Sequence, residues 1–125
     1  MVMKKAKIIS AILFTLFLLA SCGPTNERYF NVKYLFGEWK EGTVHDKYFE
    51  DGTGCTWDTS DDVEEEEASP FKWTLSHDTL LLNHVLWNGS IVPKIYLVNT
   101  LDSLNLVYED LSGGTIHQYH KVSVP

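Results

Sequence analysis

Two thiols, five imidazoles, a run of carboxylates and a set of large aromatic rings are the side chains of this chain that could do chemistry. Their spacing decides which chemistry. A metal centre needs several ligands converging on one point. His117 and His120 are three apart, which on a strand turns them to opposite faces, and turn-like segments separate His45, His77 and His84. There is no His-Glu-x-x-His and no Cys/His pairing of zinc spacing, so no metal and no cofactor is expected. The acidic stretch Asp58 to Glu67 offers hard oxygen ligands for calcium. Counted from Asp58, however, the sixth position of an EF-hand loop, which must be Gly, is Val63. A solvated charged face is the expectation. Neither a Gly-x-Ser-x-Gly elbow nor a phosphate-cradling glycine loop occurs, and the residues point away from an enzyme.

Cys22 stands in a different context. Lys4, Lys5 and Lys7 form a basic start, Ile8 to Ala20 an apolar run too short to cross a bilayer, and Leu19-Ala20-Ser21 ends it with small residues directly before the thiol. That is the signal of a bacterial lipoprotein precursor, which assigns residues 1–21 to a signal peptide and Cys22 to lipid attachment. Several acyl chains, at about 0.8 kcal/mol per buried methylene, anchor where one does not. Cys55 would then have no thiol partner in the mature chain and is read as an inward, inert thiol, because no basic neighbour in sequence lowers its pKa. The mature chain keeps seven Lys and Arg against 17 Asp and Glu, a net charge of −10. Nucleic acid and anionic lipid surfaces are excluded as partners, since both require a basic patch.

The elements that must position these groups are strands. Residues 22–34 carry Gly, Pro, Asn and charge without an apolar period and read as a lipidated tether; 35–125 read as one all-β domain. Trp39 leads the first strand. A second, around Lys47 to Glu50, meets the Asp51-Gly52 hairpin signal and returns through Cys55 and Trp57. Phe71, Trp73 and Leu75 alternate with Lys72, Thr74 and Ser76, which gives one apolar face and one wet face. His77-Asp78 turns into Thr79 to Leu86, and Asn88-Gly89 into Ile91 to Thr100, with Pro93 where an edge tolerates a missing donor. Asp102-Ser103, then Leu104 to Glu109, then Gly113-Gly114 and Ile116 to Val122 complete about eight antiparallel strands at meander spacing, an up-and-down barrel or a sandwich. Between Trp57 and Phe71 the expectation is a short helix capped by Ser60, or an acidic loop.

Gly37-Glu38-Trp39 is similar to the G-x-W that opens lipocalins. Tyr48-Phe49-Glu50-Asp51-Gly52-Thr53-Gly54, Phe71-Lys72-Trp73-Thr74-Leu75 with Leu80-Leu81-Leu82, and Tyr119-His120-Lys121-Val122 add to the likeness. Together they resemble the lipocalin-like domain of small lipoproteins of gut Gram-negative bacteria, over about Leu35 to Val122. The resemblance implies a binding role and a barrel base in which Trp39 packs against Lys121. The chain lacks the T-D-x-x-Y motif, C-terminal helix and disulfide of longer lipocalins.

Trp57, Trp73, Trp87 and Tyr96 could line an apolar pocket or belong to the core, and Trp87, directly before Asn88-Gly89, belongs near a rim. The strand tips around Asp51, Trp87 and Gly113 are the expected contact points. Thr79 and Ser103 follow Asp at turns and resemble acceptors for O-glycosylation, although turn chemistry explains both. Two functions follow: a lipid-anchored module binding a small apolar or amphipathic ligand, or a filled barrel that presents its loops to another envelope protein. Gly23 after Cys22 favours the outer membrane, and the lack of an acidic cluster just beyond it favours the periplasmic leaflet.

Overall fold

A computed structural model describes residues 29–122; the stretch read as a signal peptide, Cys22 and the start of the segment read as tether lie outside them. Eight strands follow in chain order: β1 (Gly37–Glu41), β2 (Val44–Tyr48), β3 (Thr53–Asp58), β4 (Ser69–Ser76), β5 (Thr79–Val85), β6 (Ile91–Leu101), β7 (Asn105–Asp110) and β8 (Ile116–Lys121). Each pairs antiparallel with the next, and β8 returns to β1, so the chain is an all-β closed up-and-down barrel rather than a sandwich. Closure removes the sheet edges that a small β domain would otherwise expose.

The turns follow from local chemistry. Asp51, Asp58, Asn88, Asp102 and Asp110 each accept a hydrogen bond from the backbone N–H two residues on, at 2.9–3.0 Å, which ends one strand and aims the chain back. Two expectations are corrected here. The second strand runs Val44–Tyr48 and not Lys47 to Glu50, because Gly42 reverses the chain at φ +60 and Phe49 to Gly52 forms the next turn. The acidic stretch forms two single 3-10 turns, Thr59–Asp61 and Glu65–Glu67, and the cap of the first is Asp58, whose carboxylate accepts from the Ser60 N–H.

Alternation sorts the side chains. Trp39, Tyr48, Phe71, Trp73, Leu80, Leu82, Val98, Leu106, Tyr108 and Tyr119 point inward and form one core with Leu35 and Leu101. Gly54 faces Phe71 from β3, and a Cβ there would lie 2.4 Å from the ring, so the close approach of β3 to that ring needs glycine.

The two ends differ. Residues 29–36, the Phe49–Gly52 turn, His77-Asp78 and Asp102–Leu104 share the end at which β1 begins. There a 3-10 turn at Val32–Tyr34, capped by Asn31, carries Leu35 inward, and Phe30 and Phe36 pack on the core. The segment read as tether thus joins the fold from Tyr29, whose ring lies 4.3 Å from that of His77. The other end carries the turns after β1, β3, β5 and β7, and its ladder is incomplete. β1 and β8 pair only at Trp39 and Lys40, β3 and β4 only over Thr53–Thr56, and β7 joins β6 only from Tyr96 onward. Ile91 to Ile95 therefore runs past its neighbour as part of a projecting β5–β6 hairpin. Pro93 sits on this stretch, where its missing N–H faces no strand.

Candidate binding cleft at the barrel mouth

The closed end is built first, because it decides what room is left. Trp39 is fully buried, and its Nε1–H donates to the Leu35 carbonyl at 2.9 Å. Lys121 pairs with it across the β1–β8 seam and lays its ammonium 4.6 Å from the indole centroid, while donating to the Tyr34 and Phe36 carbonyls. Burial pulls the Lys121 pKa down. Gly37, at φ +113, leaves space for that ammonium: a Cβ would stand 2.9 Å from Nζ.

Above this base the barrel's middle is filled by rings. Tyr48 meets Phe71 and Trp73 edge-on at 5.3 and 5.9 Å, and Tyr108 lies 5.4 Å from Tyr119. One carboxylate is among them. Asp46 is 4% exposed and held by the Thr56 and Tyr119 hydroxyls, and burial raises its pKa. The buried Tyr48 hydroxyl has no hydrogen-bond partner among the described residues, and burial pushes its pKa well up.

The mouth is polar. Where the β1–β8 ladder stops, Glu41 bridges the seam by accepting from the Gln118 N–H and pairing with His117 Nδ1 at 2.9 Å. On the other side a cleft of about 510 Å³ opens between β3, β4 and the β5–β6 hairpin, lined chiefly by Thr56, Ser69, His84, Leu86, Val92 and Lys94. By register Thr56, Ser69, His84, Val92 and Lys94 all face inward. The His84 ring lies 5.6 Å from Phe71, and burial, aided by the Lys94 charge, lowers its pKa, which keeps it neutral. The cleft thus brings a few polar groups, Thr56, Ser69, His84 and Lys94, together beside the apolar Leu86 and Val92.

The residues singled out from sequence fall in four different places. Trp87 is 97% exposed at the tip of the β5–β6 hairpin and lines the cleft. Tyr96 is half-buried inside the mouth, 4.3 Å from Tyr108, with its pKa pushed up to about 12 by burial. Trp73 is core at 7% exposed and donates from Nε1 to the Thr53 carbonyl. Trp57 faces the opposite side of β3 from Thr56 and stacks on His45 at 4.9 Å beside the acidic segment, which Lys47 ties down through Glu65 at 2.7 Å. Asp51 is at the closed end, whereas Trp87 and Gly113 share the mouth, so those three tips do not converge. His117 points in and His120 out. Cys55 faces outward on β3, opposite Lys47, and not inward as expected, because Gly54 and Thr56 hold the inward positions; burial and Glu65 raise its pKa, the opposite of thiol activation. The Asp102 carboxylate holds the Leu104 and Asn105 N–H groups, so the turn at Ser103 is explained by its own hydrogen bonds.

Asp46, Glu41 and Lys94 were missed in sequence, and His84 was weighed there only as a metal ligand. The signal for Asp46 was the alternation Val44-Asp46-Tyr48, hidden once the strand was started at Lys47. No group of three or more His, Cys, Asp or Glu side chains that could hold a metal ion occurs among the described residues. No family model, curated protein or solved structure matches the chain.

Proposed function

We propose that the chain is a lipid-anchored envelope lipoprotein whose lipocalin-like barrel binds a small apolar or amphipathic ligand at its mouth. The observation that carries this reading is the cleft of about 510 Å³ lined by inward-facing Thr56, Ser69, His84, Val92 and Lys94. The Gly37, Trp39 and Lys121 packing supports the lipocalin-like assignment. An anchor at Cys22, in the outer membrane and on its periplasmic leaflet, would hold the closed end. Only about 25 Å of fully extended chain separates Cys22 from Tyr29, so the mouth would face away from that membrane.

One observation favours a second reading, a filled barrel that presents its rim to another envelope protein. Trp87, Ile91, Ile95, Leu111 and Ile116 are exposed apolar residues at or near the mouth. A native mass spectrum of the protein from its own host separates the two: a bound small molecule supports the first, a bound protein with an empty barrel the second. Labelled palmitate incorporated into Cys22→Ala would overturn the anchor.

A further inference from the structure

We propose that the ligand held in the mouth cleft is an organic anion on a compact apolar body, its charged group taken by Lys94 and the Ser69 hydroxyl. This rests on the mouth-binding reading and narrows it. Lys94 faces into the cleft by register, opposite Leu82, and its ammonium makes no ion pair or hydrogen bond among the described residues. Of the inward-facing cationic groups, His117 has Glu41 and Lys121 has two carbonyls, whereas Lys94 only acts on the Asp110 carboxylate through its charge; Lys40 and Lys72, which also make no ion pair among the described residues, face outward. Lys94 is exposed at the mouth, so an anion from outside can reach its ammonium without first breaking an ion pair. The Ser69 hydroxyl lines the same cleft, and neutral His84 offers a ring nitrogen without a second charge.

The acidic balance of the chain does not cancel this. A charge in contact with Lys94 is little screened, whereas exposed charges more than about 8 Å away are largely screened at physiological salt. Local attraction at Lys94 therefore outweighs the distant carboxylates, and Asp110 is the one acid near enough to compete for its ammonium. The body must be compact because Tyr48, Phe71, Leu82 and Tyr108 fill the axis below, leaving no channel for a long chain. Leu86 and Val92 provide the apolar wall on the hairpin side, with Trp87 at its rim.

The test uses the full chain in zwitterionic nanodiscs, with heats from empty nanodiscs subtracted, titrated with 2-naphthoate, 2-naphthylmethanol and 2-naphthylmethylammonium. The expected result is naphthoate binding at least tenfold tighter than the alcohol, with Lys94→Met removing that difference at an unchanged melting temperature. Equal affinity for naphthoate and the alcohol, unaltered by Lys94→Met, or a preference for the ammonium probe, would overturn the anion assignment and leave the mouth-binding reading standing. No heat from any of the three probes would overturn both.

Discussion

At the closed end a fully buried indole, a lysine over its face and a 3-10 turn lock three segments of chain together; at the mouth the ladder frays, the inward side chains are polar, and one tryptophan stands in solvent. The same fold element, an antiparallel strand with alternating faces, builds both. The difference lies in what completes the barrel beyond the last ladder bond. At the base it is apolar packing, which is non-directional and excludes water. At the mouth it is a carboxylate, Glu41, standing in for missing backbone pairs, beside a cleft lined by polar side chains. Apolar packing thus collects at one end and exposed polar side chains at the other.

Removing a base contact should therefore cost far more than removing a rim one. Trp39→Ala is expected to lower stability by about 3–5 kcal/mol, as for other buried Trp truncations, because it leaves a cavity and orphans the Leu35 carbonyl. Chemical denaturation reads this directly, and a loss below about 1 kcal/mol would erase the contrast between the ends. Glu41→Ala removes two hydrogen bonds to a charged acceptor across the seam and is expected to cost about 1.5–3 kcal/mol, with faster amide exchange at Gln118 as its local signature.

Acid behaviour sharpens the comparison by sign. Asp46 has a folded pKa above its unfolded 3.8, so the folded state holds its proton more tightly, and stability from this residue falls as pH rises from 3.8 through the folded value. Asp51, Asp58, Asp102 and Asp110 are the reverse. Hydrogen bonds at their turns depress their pKa values, and the stability they give above 3.8 is lost as pH falls through the depressed values. Asp46→Asn should abolish the Asp46 component alone, seen as a stability–pH curve that no longer declines above pH 3.8. A curve identical to that of the parent would remove the buried carboxylate from the account. The smallest effect is Trp87→Ala, expected within about 0.5 kcal/mol of the parent in denaturation because the ring touches solvent on nearly all sides.

What was legible in sequence divides along the same line. Eight strands and their order could be read because Asp-Gly, Asn-Gly, Asp-Ser and Gly-Gly turns punctuate period-2 apolar runs, and Phe71, Trp73 and Leu75 show their face without ambiguity. β2 was misplaced because its inward face is Val44, Asp46 and Tyr48, where a buried carboxylate breaks the apolar alternation on which strand reading depends. Closure was not legible, since a barrel and a sandwich share strand patterns and differ only in whether β8 finds β1. The mouth was the least legible. Glu41 and His117 are far apart in sequence, and Lys94 and Ser69 look like ordinary surface residues until register turns them inward. Trp87 was the exception, because its position before Asn88-Gly89 fixes it at a hairpin tip.

Amide hydrogen exchange of the full chain, with and without a small-molecule extract of its own host, tests the division of labour most directly. Without extract, the amides of Trp39, Leu80, Leu106 and Tyr119 should exchange only through global unfolding and those of Leu86 to Ile95 much faster. With extract, protection should rise in His84 to Lys94 and stay unchanged at the base. Uniform protection along the barrel axis, or slowing confined to the closed end, would contradict a mouth that binds above a base that holds.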